Sequence, residues 1–192
     1  MRINVQSRKA FALLICCTLL VPIFTHASEP TISYYDVSGT RANDIRTRLN
    51  QSRPADSTGE RHDAVTRSRV SYTYRYVPTP TGCKFTEFTA TLESNMTMPR
   101  WTEQDPTSKL GRKWQSYHSA LYEHELGHHN IYVEARAAVE QAGRDFKTSS
   151  KCDAIGDEFK IIYSSLIKKY SDMSQKYDLD TNHGMKFGAV FP

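Results

Sequence analysis

The sequence predicts an α+β fold with a small antiparallel sheet and one helix in its first half, followed by two long helices. Two observations support this prediction. In the first half, apolar and aromatic residues alternate with polar ones over short runs, which is the period of β-strands. In the second half, apolar residues recur at spacings of three and four over much longer stretches, which is the period of α-helices.

The first half contains three segments with the pattern of strands. They are residues 32–37, 70–77 and 84–98. A modest helix is expected at 42–51, because Ile45 and Leu49 lie one helical turn apart. The polar stretch 52–66 predicts a loop, and the prolines and glycine of 78–82 predict the turn between the last two strands.

The first long helix is expected to begin at Asp105-Pro106 or nearer Arg112, and to run towards Gly143. An aspartate cap followed by proline favours the earlier start, whereas Gly111 weakens the first turns.

The second long helix is expected to begin after Cys152, with Asp153 as its cap, and to end near Tyr177. The remaining tail is marked by glycines, which indicates that it leaves the helix as a loop.

The first 27 residues have the layout of a secretory signal peptide. Three basic residues precede the apolar run 10–24, and small residues follow it, so cleavage is expected between Ala27 and Ser28. The run of 15 residues is shorter than the length of about 20 residues that a transmembrane helix needs. The sequence therefore predicts an exported protein, periplasmic or secreted, whose mature part 28–192 is a single domain without a membrane span.

Charge and cysteine content agree with export and argue against a nucleic-acid partner. The signal segment holds three of the 25 basic residues and none of the 21 acidic ones, so the mature part carries 22 − 21 = +1. Two cysteines remain there, Cys83 and Cys152. An even pair in an oxidising compartment predicts one disulfide.

The motif with the clearest chemical content is His124-Glu125-Leu126-Gly127-His128, an H-E-x-x-H sequence inside the first long helix. Residues four apart lie one turn above each other, so both imidazoles can bind one zinc ion. Glu125 can act as general base towards a zinc-activated water. Composition alone gives about 0.01 chance matches to the motif, so coincidence is a weak explanation.

Further motifs stand in order around this one: Pro99-Arg100-Trp101, Trp114, Ala135-Arg136, and a tail motif that begins at Tyr177-Asp178 and ends at His183-Gly184. The series resembles a bacterial family that is described from its motif as secreted zinc-dependent proteases and is catalogued as a domain of unknown function. The resemblance covers roughly the whole mature chain and implies a zincin-like metallopeptidase fold. One departure is Phe187, where the family pattern leads us to expect glutamine.

A catalytic zinc site needs a third protein ligand beside the two histidines. His183 is the preferred candidate, because the tail can fold back to the level of the pair, and Asp178 could then hold its other ring nitrogen. Glu158 is the less favoured alternative, since a simple helical hairpin leaves it some 15 Å short of the histidines. Glu134 points away on an unbroken helix. Tyr177 is a candidate to stabilise the oxyanion.

The sequence thus predicts a zinc metallopeptidase, a hydrolase that binds one Zn²⁺ and cleaves peptide or protein substrates with Glu125 as general base. Two alternatives remain open. One is a zinc-containing binding or structural protein without catalysis, and the other is a metal-dependent hydrolase of cell-wall amides. The tyrosines of the strand at 70–77 either line a substrate cleft or pack within the sheet.

Overall fold

A computed structural model describes residues 29–56 and 58–191. The predicted signal segment and its cleavage point lie outside these residues. The strands are β1 (Thr31–Val37), β2 (Val65–Thr79), β3 (Gly82–Trp101) and β4 (Lys147–Thr148). The helices are α1 (Ala42–Ser52), α2 (Lys109–Asp145) and α3 (Ile155–Thr181). The structure is therefore α+β, as predicted.

The sheet is mixed, so the prediction of a purely antiparallel sheet is wrong. β2 and β3 form the expected antiparallel hairpin, but β1 runs parallel to β3 and pairs with its last seven residues. The strand order β1-β3-β2 explains the difference. β3 lies between β1 and β2 and runs in the same direction as β1, so β1 and β3 pair in parallel. The short β4 pairs antiparallel with the start of β3.

The first long helix begins at Lys109, between the two expected starting points. Ser108 is its cap, and the Ser108 hydroxyl accepts a hydrogen bond from the Gly111 N–H at 2.8 Å. Asp105 instead caps the preceding turn by accepting from the Thr107 N–H at 2.9 Å.

The second long helix begins after one 3₁₀ turn, Cys152–Ala154, and continues to Thr181, one turn beyond the expected end. Asn182 then closes it in the left-handed conformation, with φ of 51°. The extra turn matters, because it keeps Asp178 within the helix.

Two apolar cores lie along α2. The first joins α1, the ends of β1 and β3, the start of α2 and the tail, and includes Leu49, Met96 and Phe191. The second joins β2, β3 and α3, and includes Phe88 and Phe159. The H-E-x-x-H segment occupies the part of α2 between these cores, so packing on both sides fixes its position.

Of the tyrosines of β2, Tyr72 packs against the second core, whereas Tyr74 and Tyr76 are exposed. The Tyr72 ring stacks on Phe88 at 5.4 Å between centroids, and Tyr74 contacts Phe85 at 4.5 Å. The structure therefore supports the packing role for Tyr72.

The predicted disulfide between Cys83 and Cys152 is present, with the two Cα atoms 5.3 Å apart. It joins the start of β3 to the turn that precedes α3. A disulfide of this kind is typical of proteins in an oxidising, exported environment. Among the described residues, no helix combines the length and apolar character needed to cross a bilayer.

Candidate metal centre

The two histidines of the motif lie side by side on the buried face of α2. His124 and His128 are 4% and 9% exposed, and their Nε2 atoms are 3.3 Å apart. Their ring planes are nearly perpendicular, at 82°. The i, i+4 spacing on a regular helix produces this convergence, as the sequence predicts.

Asp178 on α3 completes a group of three ligand atoms. Its Oδ1 lies 3.1 Å from His124 Nε2 and 3.0 Å from His128 Nε2. Tetrahedral zinc with bonds of about 2.0–2.1 Å separates its ligand atoms by about 3.3 Å. The three spacings in the protein are close to that value, so His124, His128 and Asp178 form a group that could bind a metal ion.

The electrostatics of Asp178 suit this role. Burial disfavours its charged form, but the hydrogen bonds with His124 and His128 outweigh burial and hold the pKa of the carboxyl well below its usual range. The carboxylate is therefore ionised under ordinary conditions, and an ionised carboxylate is the form that binds a cation.

The outward nitrogens of both histidines are also engaged by α3. His128 Nδ1 lies 2.8 Å from Ser174 Oγ, and His124 Nδ1 lies 3.4 Å from Thr181 Oγ1. The Thr181 hydroxyl donates its own proton to the Tyr177 carbonyl at 2.7 Å, so it can accept from His124. Such partners fix the ring orientation and leave each Nε2 lone pair for a metal.

Tyr177 packs directly against the histidine pair. Its ring stacks on His124 at 5.0 Å and meets His128 edge-on at 5.1 Å. This approach depends on Gly127, since a Cβ atom there would lie 2.4 Å from the Tyr177 hydroxyl oxygen. Tyr177 is thus placed to hold the histidines in position, and the tail approaches similarly at Gly184, whose Cβ would meet His124 at 2.9 Å.

A Gly127→Ala substitution tests this contact. Alanine should stabilise an isolated helix by about 1 kcal/mol, but the clash with Tyr177 should cost about 1–3 kcal/mol. We expect a net loss of stability in urea unfolding and a weaker affinity for zinc. In a Tyr177→Ala background the clash is absent, and the same substitution should stabilise the protein. Equal effects in both backgrounds would contradict the contact.

Glu125 is buried beside the donors, with 4% exposure. Its Oε2 atom has no hydrogen-bond partner among the described residues, and its backbone carbonyl accepts from the Thr66 hydroxyl at 3.1 Å. Burial raises the pKa of the Glu125 carboxyl, while the neighbouring His128 opposes the shift. An unpartnered buried carboxylate oxygen is costly, which is typical of a group that serves a ligand or a reaction.

These side chains line a cleft of about 600 Å³. Its walls come from α2, α3, the start of β2, the loop that precedes β2, and the tail. Glu125 and Asp178 therefore face a space large enough for a ligand.

His183, the preferred third ligand from sequence, lies at the edge of the donor group. Its Nδ1 is 3.4 Å from Asp178 Oδ1, and its side chain is 42% exposed. Its backbone adopts φ of 50°. Asp178 supplies a third ligand atom beside the two histidines. The expectation that His183 binds the metal stays a prediction.

The other acidic candidates lie elsewhere. Glu158 lies at the start of α3, where hydrogen bonding with Ser150 and Thr148 lowers the pKa of its carboxyl. It precedes Asp178 by 178 − 158 = 20 residues, so it lies about 30 Å away along the helix. Glu134 is exposed on α2.

Sequence reasoning missed three residues of this region. Two of them, Ser174 and Thr181, lie four residues before and three residues after Asp178. This spacing predicts that the three polar side chains share one helix face. The third is His62, which lines the cleft and stacks on His183 at 4.8 Å between centroids. No local signal could have revealed that contact, since the two histidines are far apart in sequence.

Comparison with known proteins identifies the chain at the level of its family. Neither the curated proteins nor the solved structures include a significant match. The family model for bacterial proteins of unknown function designated DUF922 matches residues 32–184, which is most of the chain, and the protein therefore belongs to this family.

Proposed function

We propose that this protein is an exported zinc-dependent metallopeptidase that hydrolyses peptide bonds in peptide or protein substrates. The observation that carries the proposal is the placement of Glu125. Its buried carboxylate oxygen, which has no partner in the described part of the chain, lies beside three converging ligand atoms and lines the same cleft. The disulfide supports the exported location.

The donor set fits zinc in a catalytic rather than a structural role. Two imidazole nitrogens and one carboxylate oxygen are common zinc ligands. Structural zinc sites usually take four protein ligands, whereas catalytic sites take three and keep one position for water or substrate. The group His124, His128 and Asp178 has three members. A zinc-containing binding protein would need neither this open position nor the buried Glu125.

Each residue then has a definite task. A zinc ion bound by the group would polarise the scissile carbonyl and lower the pKa of a water molecule. Glu125 accepts a proton from the attacking water and passes it to the leaving amine. Asp178 neutralises part of the metal charge, and Tyr177 and Ser174 hold the imidazoles in place.

The Glu125→Gln variant tests the proposal. It preserves the size of the side chain and removes the base, so hydrolysis of a mixed peptide library should fall by a factor on the order of 10². Zinc content, measured on the same sample, should remain near one ion per chain. Mass spectrometry of the library provides the activity measurement.

Glu134→Gln is the matched control, because it makes the same change at an exposed position of α2. It should leave both activity and zinc content unaltered. Unchanged hydrolysis in Glu125→Gln would remove Glu125 from the mechanism. Loss of zinc together with activity would assign it a role as ligand or in folding instead.

A further inference from the structure

Four arginines line the cleft, and they fall into two pairs. Arg46 and Arg53 both bind the carboxylate of Asp63, each at 2.7 Å, so their charges are partly neutralised within the protein. Arg61 and Arg67 line the same cleft and are exposed. In the described part of the chain, neither arginine forms an ion pair with a carboxylate.

Backbone carbonyls hold the second pair in place. Arg61 Nη1 donates to the Arg53 carbonyl at 2.8 Å, and Arg67 Nη2 donates to the Ala55 carbonyl. An antiparallel backbone bridge pairs Ala55, which anchors Arg67, with Arg61 itself. A guanidinium carries five N–H donors, so each arginine is oriented by a neutral partner and keeps its charge and most of its donors available.

The nearest acidic side chains of the loop are directed elsewhere. Asp56 Oδ2 lies 3.5 Å from His62 Nε2, and Asp56 Oδ1 caps the turn by accepting from the Thr58 and Glu60 N–H groups. A ligand atom of Glu60 also lies within 4.8 Å of ligand atoms of Asp56 and His62. Among the described residues, neither Asp56 nor Glu60 forms an ion pair with Arg61 or Arg67.

The position of Arg67 links the pair to the reaction centre. It follows Thr66, whose hydroxyl is bonded to the Glu125 carbonyl, on a strand that borders the cleft. We propose that Arg61 and Arg67 bind a carboxylate of the substrate, away from the scissile bond, and so make the enzyme selective for peptides that carry one. This proposal rests on the proposed peptidase function. The carboxylate can belong to an acidic side chain or to the substrate's C-terminus.

The test compares kcat/KM for two sets of matched peptides. In the first set the C-terminus is capped, and the two peptides of each pair differ only in having Glu or Gln at one position. In the second set the peptides have no acidic side chains, and the two members of each pair end in a free carboxylate or in an amide. We expect the wild-type protein to prefer the carboxylate in one set, which identifies its source. In the Arg61→Gln/Arg67→Gln variant, the ratio of kcat/KM between carboxylate and neutral peptides should fall roughly 10- to 100-fold, because charge-assisted hydrogen bonds to the carboxylate are lost.

Arg69→Gln is the matched control, since Arg69 is exposed on the same strand outside the cleft lining. It should retain the preference, and its turnover of neutral peptides should match that of the wild-type protein. Hydrolysis without any preference for a carboxylate would overturn the arginine proposal and leave the peptidase function intact.

A binding measurement separates the two proposals if hydrolysis fails. Fluorescence anisotropy with labelled peptides and zinc-loaded Glu125→Gln protein reports recognition without turnover. The carboxylate site would be supported, even if no peptide is cleaved, by tighter binding of the peptides that carry a carboxylate. The double arginine substitution should abolish this difference in affinity. Equal binding of all peptides would overturn it.

Discussion

An Asp178→Ala variant should lose more than 100-fold in zinc affinity, because the substitution removes one of three converging ligand atoms and leaves two imidazoles. Removal of a group that only orients a ligand typically costs 10–100-fold, so a loss of a direct ligand should exceed that range. The measurement is a competitive chelator titration. Circular dichroism should verify that the helices of the variant remain folded.

His183→Ala is the decisive comparison. Its Nδ1 contacts Asp178 at 3.4 Å, and the side chain is 42% exposed, so its removal should cost no more than the loss of an orienting group. The opposite outcome, in which His183→Ala releases the metal and Asp178→Ala retains it, would establish the tail histidine as the ligand. The Asp178 carboxylate would then have the orienting role that the sequence suggested.

Removal of the disulfide should produce a comparably large effect on stability. The Cys83→Ala/Cys152→Ala variant frees a loop closed over a sequence separation of 69 residues. The chain-entropy estimate for such a loop is about 4 kcal/mol in the free energy of unfolding. Urea denaturation of the variant and of the oxidised parent protein measures the difference.

The same variant should keep its metal site. The start of α3 at Ile155, next to the Cys152 turn, lies 178 − 155 = 23 residues before Asp178, hence about 35 Å along the helix axis, so the donor geometry should be undisturbed. Zinc content near one ion per chain is the expected control result. Two alkylatable thiols in the native exported protein, or a stability change below about 1 kcal/mol, would contradict the structural role of the bond.

The sequence predicted much of this fold because local patterns specify local structure. The periods of three and four located α2 and α3, and the turn residues at 78–82 located the hairpin. The direction of β1 was not predictable, since its pairing with β3 depends on which edge of a distant hairpin it meets. The early start of β2 at Val65 was also missed, because the polar and charged residues that begin it have the composition of a loop.

The candidate site was predictable on one helix and only partly on the other. His124, Glu125 and His128 follow from a spacing within α2. The position of Asp178 depends on where α3 ends, and the sequence placed that end one turn too early. A helix that ends at Tyr177 sends the aspartate into the tail, whereas the observed helix carries it onto the face that meets α2.

The contact of Gly127 with Tyr177 also constrains how this protein can change during evolution. Since the Tyr177 ring occupies the space that a side chain at position 127 would fill, the two positions cannot vary independently. A lineage that acquires a larger residue at position 127 must first or simultaneously acquire a smaller one at position 177. Among relatives of the family, these two positions should therefore covary, even though 50 residues separate them in the chain (177 − 127 = 50).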